Sequence, residues 1–410
     1  MTTRPNQNEL PKGRSCRVLL TGGRAPVTLD LARMLHRSGH LVFVVESTAR
    51  HLCRTSSAVT QCAVVPSPRH RTEAYLSALE KWVKTWQIDL IIPMCEEVFY
   101  VAQGADRLRQ HCDVLVSSLE QLHALHHKYD FIQLAKSMGL LVPDTHLIQS
   151  PKQWLETQQV LHGSGEWVWK PVYSRFAAKV RMPITGQRHN PPGEDMLSMT
   201  SPWVAQRYIQ GRGLCTYSVV HEGRLVAHAT YDSCYRTGSI GASVFFEQVE
   251  HKGTYEWVKQ FVQATGFSGQ IGFDFIEDMD GQVYAIECNP RATSGIHLFH
   301  PGDGLVCALL EPKVLLSRGT EVTPSPGEKA MLALPMLGSG IRQFYSRKGS
   351  LRNWRTAWRG ARDVVYISQD RRPFFEQFAV VLAAWRLAHS HRISLTEALT
   401  QDIEWNGEPQ

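Results

Sequence analysis

Two acidic side chains and an amide, on either side of a predicted turn, are spaced to bind a divalent cation. Asp274 lies in one strand-like segment, Glu287 lies in the next, and residues 278–281 join the two into a predicted hairpin. Antiparallel pairing can bring the two carboxylates side by side, where they repel each other unless cations lie between them. Asn289 falls on the same strand face as Glu287 and supplies a third oxygen. Magnesium prefers such oxygen ligands and completes its shell with water and nucleotide phosphates, so these residues are the predicted metal ligands.

The residues that follow could act on a phosphate and on a second substrate. Arg291 continues the same strand face and offers a guanidinium fork to a phosphate or an acyl phosphate. In the next loop, Ser294 and the backbone of Gly295 could hold a carboxylate or a developing oxyanion. His297 is close by, but a histidine is more often a hydrogen-bonded structural residue. Arg291 and Ser294 are therefore the predicted catalytic residues.

The segments that must position these residues change in character along the chain. Up to about residue 118, continuous apolar runs such as Arg17–Thr21, Leu41–Val45 and Ile88–Ile92 alternate with amphipathic helical segments. Parallel strands buried on both faces have such runs, which predicts a doubly wound α/β fold. A helix is predicted over His123–Met138, and strands and hairpins follow, including Trp167–Pro171.

These changes divide the chain into five predicted segments. Beyond residue 335 the sequence is rich in helical segments and arginine. The segments are a loose N-terminal tail (1–15), a doubly wound α/β domain (16–125), a small lid (126–210), a catalytic subdomain (211–335) and a helical basic C-terminal region (336–410).

The hairpin motif and the order of the segments resemble the ATP-grasp superfamily, which includes carbamoyl phosphate synthetase, biotin carboxylase and D-alanine:D-alanine ligase. The resemblance extends over about residues 16–300 and implies an α/β (α+β grasp) fold, with a pre-ATP-grasp domain, a lid and a C-terminal ATP-grasp domain. In that family an acid and a Glu-x-Asn on neighbouring strands hold two magnesium ions, for which manganese can substitute, and the next arginine steadies the transferring phosphate. By resemblance these roles fall on Asp274, Glu287, Asn289 and Arg291.

The resemblance also implies a set of nucleotide-binding residues. Lys170, at the end of a lid strand, matches a lysine that contacts ATP phosphate, and Lys128 matches the family's other basic residue. Gln206, Tyr208 and Ile209 match the interdomain segment whose backbone contacts the adenine edge and whose apolar side chains pack on the ring.

Two segments depart from the family pattern. The lid loop is normally glycine-rich so that backbone amides can cradle phosphate, but here residues 173–179 read Tyr-Ser-Arg-Phe-Ala-Ala-Lys. Arg175 and Lys179 could replace those amide contacts with side-chain charge. The family often has a ribose-binding glutamate after the adenine segment, whereas this chain has Gly211-Arg212-Gly213.

The activity that the resemblance implies is ADP-forming ligation of a carboxylate to an amine, through an acyl phosphate, with ATP and Mg²⁺. Its partners would be a small-molecule carboxylate and an amine. A biotin-carboxylase-like or kinase-like reaction is an alternative within the superfamily, and a catalytically silent nucleotide-binding interaction protein is an alternative of another class. A dinucleotide-dependent oxidoreductase is a further alternative, because Glu46 lies about twenty residues beyond a glycine turn, where a ribose-binding acid would lie. The third glycine of that fingerprint is absent.

The composition favours an ordinary globular protein. Hydrophobic residues make up 43% and charged residues 20%, which is the usage of folded domains. The nine cysteines include no Cys-x-x-Cys pair, so we expect a reducing, cytoplasmic location. Neither a signal peptide nor a transmembrane segment is predicted, because the apolar runs are too short. A net charge of +6 gives only weak support for a nucleic-acid partner, and none is predicted.

Two further charged regions allow more than one interpretation. Residues 341–362 contain seven Lys or Arg and no acid. Within them Leu351, Trp354, Trp358 and Ala361 share one helical stripe, and Arg352, Arg355, Arg359 and Arg362 share an adjacent one. We expect a helix packed by its tryptophans with solvated arginines, or else one that contacts an acidic partner.

Glu96 and Glu97 are expected to be solvated acids at a helix start, or to bind an amine. A homodimer is one option for the oligomeric state.

Overall fold

Three β-sheets hold the described part of the chain together in the computed structural model, which describes residues 15–161, 163, 165–173, 180–183, 202–236, 243–345 and 351–407. The strands are β1 (Arg17–Leu20), β2 (Leu41–Glu46), β3 (Gln61–Val64), β4 (Leu90–Ile92), β5 (Asp113–Val114), β6 (Thr145–Ile148), β7 (Trp167–Pro171), β8 (Trp203–Arg207), β9 (Arg212–His221), β10 (Arg224–Asp232), β11 (Phe245–Gln248), β12 (Gly269–Glu277), β13 (Val283–Asn289), β14 (Lys329–Met331) and β15 (Arg362–Asp363).

Helices pack against both faces of the first sheet and of the second sheet. The helices of the described residues are α1 (Pro26–Arg37), α2 (Thr72–Trp86), α3 (Val98–Gln103), α4 (Ala105–Leu108), α5 (Leu119–His126), α6 (Lys128–Ser137), α7 (Pro151–Leu161), α8 (Lys252–Thr265), α9 (Leu305–Leu310), α10 (Pro312–Ser317), α11 (Ala333–Tyr345), α12 (Leu351–Gly360), α13 (Arg372–His391) and α14 (Leu395–Ala398), with 3-10 helices at Leu52–Thr55 and Ser294–Leu298.

The first sheet is parallel and has the strand order β3-β2-β1-β4-β5. Its central strands are apolar because helices cover both faces, and Val18, Leu19 and Leu20 have no exposed surface. The strand order reverses direction from β1, which is the doubly wound arrangement predicted from the sequence. The α/β fold class is thereby confirmed.

The second sheet is mixed and has the order β13-β12-β9-β10-β11-β14-β15. Its strands pair antiparallel except β14 and β15, which are parallel. One face is covered by α8, whose Trp257 and Phe261 form aromatic contacts with Phe273 of β12. The β12–β13 hairpin agrees with the sequence prediction, and Gly281 allows its turn with a φ of 77°.

The third sheet is small and antiparallel, with the order β6-β8-β7. Trp169 and Trp203 are buried in its own hydrophobic cluster. Lys170 and Gln206 lie on β7 and β8, so this sheet brings the predicted phosphate and adenine residues to one side of the second sheet.

The predicted helix over His123–Met138 is wrong in one respect, because it is two helices. The chain leaves helical geometry at His127 (φ −69°, ψ 107°), and the ring of His127 accepts a hydrogen bond from the amide of Asp130. A side-chain cap of this kind marks the start of a new helix, so α6 starts at Lys128.

The basic helix of the C-terminal region is shorter than predicted. α12 ends at Gly360, so Arg362 lies on β15 and not on the helical arginine stripe. The Arg362 side chain instead forms an ion pair with Asp30, with Nη2 and Oδ2 3.0 Å apart. Trp354 and Trp358 are half-buried against a cluster that includes Met336, as the packed-helix interpretation expects. Three arginines of the stripe are exposed: Arg352, Arg355 and Arg359.

The last part of the chain returns to the first sheet, which the sequence did not indicate. Asp370 forms an ion pair with Arg33 of α1 at 2.9 Å, and Asp402 forms one with Arg24 at 2.6 Å. Trp405 is 1% exposed, and its ring packs against the rings of Phe99 and Tyr100. The five-segment division of the chain stays a prediction, and these contacts tie its last segment to its second.

No helix in the part of the chain that the structure describes is both long and apolar enough to cross a membrane. All nine cysteines are free thiols.

Candidate active site

A cavity of about 340 Å³ lies between the small sheet and the second sheet. Nine of the ten residues predicted from the sequence line it, and Lys128 is the exception. Those nine are Lys170, Gln206, Tyr208, Ile209, Asp274, Glu287, Asn289, Arg291 and Ser294.

The two carboxylates of the hairpin face each other across neighbouring strands. Asp274 of β12 is the pairing partner of Glu287 of β13, and an irregularity in the pairing follows between Asp274 and Phe275. Phe273 and Cys288, which alternate with the acids, are 1% exposed. The period of two along each strand therefore directs the apolar residues into the core and the acids into the cavity.

The electrostatic surroundings shift the pKa values of the two acids in opposite directions. Burial raises the pKa of Asp274, and the neighbouring charge of Glu287 raises it further. Burial also acts to raise the pKa of Glu287, but Lys128 and then Lys170 hold it below its ordinary value. Glu287 is therefore the more acidic member of the pair, and a cation bound between the two carboxylates would lower the pKa of Asp274.

Two buried lysines lie beside Glu287. Lys128 is 1% exposed, its Nζ lies 3.5 Å from Glu287 Oε1, and it donates a hydrogen bond to the carbonyl of Val172 at 3.3 Å. Lys170 Nζ donates to the carbonyl of Ile286 at 3.0 Å. Burial lowers the pKa of Lys170 to about 8, with the charge of Glu287 acting in the opposite direction. Lys170 therefore lines the cavity, whereas Lys128 contacts Glu287 but does not line the cavity.

The oxygen donors of the site suit a hard cation that arrives with other ligands. Among the described residues, no group of three or more His, Cys, Asp or Glu side chains is arranged to hold a metal by itself. Asp274 and Glu287 are two carboxylates, and Asn289 adds an amide oxygen that accepts a hydrogen bond from Arg291 Nη2 at 3.0 Å. Magnesium is commonly held by one or two carboxylates together with substrate phosphates, so the donor set fits a magnesium–nucleotide complex.

Arg291 is held from the side of the first sheet. Its Nη2 lies 3.7 Å from Glu96 Oε1, and Glu96 Oε2 accepts a hydrogen bond from the amide of Trp405 at 3.3 Å. The expectation that Glu96 and Glu97 are solvated is wrong, since they are 0% and 2% exposed. Glu97 Oε1 accepts hydrogen bonds from Thr21 Oγ1 at 2.6 Å and from the amides of Met94 and Cys95, just beyond β4.

The adenine segment departs in detail from what the family pattern implies. Gln206 is 3% exposed and donates to Thr145 Oγ1 at 3.2 Å. The amide of Tyr208 already donates to the carbonyl of Glu166 at 2.9 Å, so an adenine ring at Tyr208 and Ile209 would use other backbone groups. A side chain at Gly211 would come within 2.0 Å of the carbonyl of Glu277, which explains why a glutamate cannot occupy that position.

The loop after the β12–β13 hairpin agrees with the structural interpretation of His297. Its Nδ1 lies 2.9 Å from Asp30 Oδ2, and its carbonyl accepts from Arg362 Nη2 at 2.5 Å. His297 is 1% exposed, whereas Ser294 at the start of the same 3-10 helix lines the cavity. The predictions for Arg175 and Lys179 lie outside the described residues.

Several residues of the cavity were not predicted from the sequence. Cys215 of β9 pairs with Asp274, and the period of two along β9 was the one available signal for it. Arg236 acts to lower the pKa of Asp274, and its Nε donates to Ser233 Oγ at 3.1 Å. The missed lining residues with polar side chains are Arg207, Cys215, Tyr231, Arg236, Ser243 and Thr293.

A family profile matches part of this chain, and several solved structures have a similar fold. Residues 126–295 match the family profile described as an ATP-grasp domain. A search of curated proteins found no match. The L-amino acid ligase of Bacillus licheniformis has a similar fold, with a TM-score of 0.55 and 16% identity over 73% of this chain and 75% of that chain.

Two further solved structures have a similar fold. One is N5-carboxyaminoimidazole synthetase from Staphylococcus aureus complexed with ADP, with a TM-score of 0.57 and 14% identity over 78% of this chain and 82% of that chain. The other is biotin carboxylase from Campylobacter jejuni, with a TM-score of 0.53 and 16% identity over 76% and 72%. Residues 126–295 therefore match an ATP-grasp domain, and the chain has a fold similar to that of these three structures.

Proposed function

We propose that this chain is an ATP- and Mg²⁺-dependent, ADP-forming ligase, which activates a small-molecule carboxylate as an acyl phosphate for attack by an amine. One observation supports it above the others, namely that Asp274 and Glu287 are paired in a cavity whose wall also contains Lys170 and Arg291. The acids would bind the metal ions of a metal–polyphosphate complex, and the cationic side chains would bind its phosphates. Such an arrangement is favourable because buried charges need partners of opposite sign.

The proposed metal ligands are Asp274, Glu287 and Asn289, which would hold two magnesium ions. Magnesium, when bound, supplies charge neutralisation between the phosphate oxygens. The protein's own cations would complete this neutralisation, with Lys170 at the phosphates and Lys128 behind Glu287. A pKa of about 8 leaves Lys170 mostly protonated at neutral pH.

The proposed reaction has two transfers. A carboxylate oxygen of the first substrate attacks the γ-phosphorus, and the bond to the ADP oxygen breaks. The amine nitrogen then attacks the acyl carbon, inorganic phosphate leaves, and the amine loses a proton. Arg291 would stabilise the charge on the phosphoryl group in transfer, and Ser294 would hold the substrate carboxylate or the oxyanion.

The adenine end of ATP would lie against Gln206, Tyr208 and Ile209, which line the cavity with Val168 and Ile276. Apolar walls with a few polar groups are typical of small-molecule sites. This orientation would direct the phosphates toward Lys170 and the hairpin acids.

The names of structures with similar folds agree with ligation but do not specify a substrate. They include an L-amino acid ligase and a phosphoribosylamine–glycine ligase from Thermotoga maritima. Biotin carboxylase is also among them, so a reaction that activates bicarbonate is the second candidate. The fold would also accommodate a kinase-like reaction or a nucleotide-binding protein without catalysis.

The test is ATP turnover with panels of carboxylic acids and amino acids, followed by hydroxylamine trapping. An acyl phosphate is a mixed anhydride, so hydroxylamine should convert it to a hydroxamate, with ADP and phosphate as the other products. Stimulation by bicarbonate alone would identify the carboxylase-like reaction. Formation of AMP and pyrophosphate would overturn the acyl phosphate mechanism, and ATP binding without turnover under every condition would favour the silent protein.

The location and the partners of the protein are part of the same proposal. Nine free thiols suit a reducing, cytoplasmic compartment. The exposed arginines of α12 would suit an acidic partner, and a homodimer is proposed only by analogy with other members of the fold.

A further inference from the structure

An apolar face is exposed on α13, in the C-terminal region. Phe375, Phe378, Leu382 and Trp385 follow one another at intervals of three and four residues, which places them on one side of the helix. They are 64%, 54%, 47% and 57% exposed. These four residues form the α13 stripe. Single exposed apolar residues are ordinary, but a continuous row of large ones marks an interaction surface.

The opposite side of α13 fixes the direction in which the stripe faces. Pro373, Glu376, Ala384 and Ala388 are the buried residues of the helix. They face the 3-10 helix at Leu52–Thr55 and α14, the two elements with which α13 is in closest contact. The stripe therefore faces outward because the helix is packed on its other side.

The charges around the stripe are positive. Glu376 is the single acid in the sequence of α13, and it is buried and lies 3.4 Å from Arg50 Nη1 and 3.2 Å from Arg54 Nη1. The exposed arginines within and beside the helix are Arg371, Arg372, Arg386 and Arg392. A partner for this surface must therefore offer an apolar layer bordered by negative charge.

A second copy of this chain does not meet that requirement. Antiparallel packing of two α13 helices about a two-fold axis would place Arg372 of one copy near Arg386 of the other, and parallel packing would place each arginine near its own equivalent. Both arrangements bring like charges together at the border of the contact, which opposes association.

We propose that the α13 stripe docks on the surface of an anionic lipid bilayer. Phe378 and Trp385 would enter the boundary between headgroups and acyl chains, where aromatic side chains are favoured. Arg372 and Arg386 would contact lipid phosphates, and each arginine near such a surface strengthens binding. The helix would lie along the membrane, since none of the described helices can span one.

This surface is separate from the candidate active site. None of the α13 residues is among those that line the cavity at Asp274 and Glu287. Membrane docking can therefore be tested without knowledge of the ligase substrates, and its outcome does not depend on the proposed function.

The test is co-sedimentation of the full chain with vesicles of phosphatidylcholine alone and of equal parts phosphatidylcholine and phosphatidylglycerol. We expect binding to the anionic vesicles to be at least about tenfold stronger and to weaken with added salt. The double variant F378S/W385S should reduce binding by about tenfold or more, because it removes the two aromatic side chains that would enter the bilayer. R372Q/R386Q should reduce binding to anionic vesicles only.

A matched control changes exposed apolar residues elsewhere. Leu155 and Val160 of α7 are 50% and 68% exposed, and L155S/V160S should leave vesicle binding unchanged. Equal binding to both vesicle types, binding to neither, or binding insensitive to F378S/W385S would overturn the proposal. A dimer in sedimentation velocity that F378S/W385S abolishes, without vesicle binding, would assign the stripe to a second copy. Retention on an acidic protein but not on vesicles would assign it to a protein partner.

Discussion

Glu96 Oε1 lies 3.7 Å from Arg291 Nη2, although Glu96 follows β4 of the parallel sheet and Arg291 follows β13 of the mixed sheet. Glu96 is fully buried, and its second oxygen accepts the amide of Trp405 at 3.3 Å. Arg291 in turn donates to Asn289 at 3.0 Å. A line of polar contacts therefore connects the C-terminal segment, the first sheet and the proposed metal ligands.

We expect Glu96→Gln to slow turnover by about tenfold or more with little change in the KM for ATP, the usual size of effect for a residue that orients a group at the site. The amide can still accept a hydrogen bond from Trp405, but the negative charge facing Arg291 is lost. The measurement is kcat and KM together with the melting temperature.

Glu97→Gln is the matched control, because Glu97 bonds only within its own turn and to Thr21 in the contacts that the structure gives. It should lower the melting temperature and leave kcat within a few-fold. If Glu96→Gln also changes only the melting temperature, Glu96 has a structural role and does not position Arg291.

Contacts within a hairpin could be predicted from the sequence, whereas contacts between the two sheets could not. Asp274 and Glu287 could be paired from the sequence because a hairpin turn and a period of two along each strand determine which residues meet. The contact of Arg291 with Glu96 depends on how two sheets dock, and no local pattern encodes that. Cys215 was missed for a related reason, since the pairing of β9 with β12 joins segments that are distant in sequence.

The same distinction applies to the fold. The doubly wound sheet was predictable from apolar runs that alternate with amphipathic helical segments. The return of Asp402 and Trp405 to the first sheet was not, because single polar and aromatic residues in a short C-terminal segment have no periodic pattern. The end of α12 before Arg362 was also hidden, because the helical spacing continues in sequence beyond the helix.

Glu287→Gln and Asn289→Ala should both reduce turnover by about a hundredfold or more, because each would remove a proposed metal ligand. They should differ in stability. Glu287 neutralises Lys128, which is 1% exposed, so its loss leaves a buried cation without its counter-charge and should lower the free energy of unfolding by about 1–3 kcal/mol. Asn289 has no such role in the contacts shown. Turnover by Glu287→Gln within tenfold of the wild type would contradict the metal assignment.

Reversal of Arg355 and Arg359 to Glu should leave both the melting temperature and ATP hydrolysis unchanged, because both side chains are exposed on α12. Trp358→Ala, on the half-buried face of the same helix, should lower the free energy of unfolding by about 1–3 kcal/mol, less than for a fully buried tryptophan. Thermal melting of both variants is the measurement. A destabilised double reversal would mean that these arginines form contacts within the protein.

Acid should destabilise the protein through two buried carboxylates. Burial acts against ionisation of Asp30, but Arg362 and His297 outweigh it and lower the pKa of Asp30 to about 2. Burial likewise opposes ionisation of Glu46, and Arg24 lowers the pKa of Glu46 to about 2. A carboxylate whose pKa is lower in the folded state contributes stability above its unfolded pKa of about 4, and that contribution is lost as the pH falls through the folded value. We therefore expect the free energy of unfolding to fall between about pH 5 and pH 2, by about 2–3 kcal/mol for each group.

Asp30→Asn should flatten this acid dependence and lower the free energy of unfolding at pH 7, because Arg362 and His297 lose the charge between them and the C-terminal strand β15 is less firmly held to α1. Asp106→Asn is the control, since the Asp106 side chain is fully exposed and has only a 3.6 Å contact with Arg109. It should change neither the neutral stability nor the slope with pH. Chemical denaturation at several pH values between about 2 and 7 provides the measurement. The same slope in Asp30→Asn as in the wild type would mean that the Asp30 ion pairs do not govern acid stability, and that other carboxylates take up the protons.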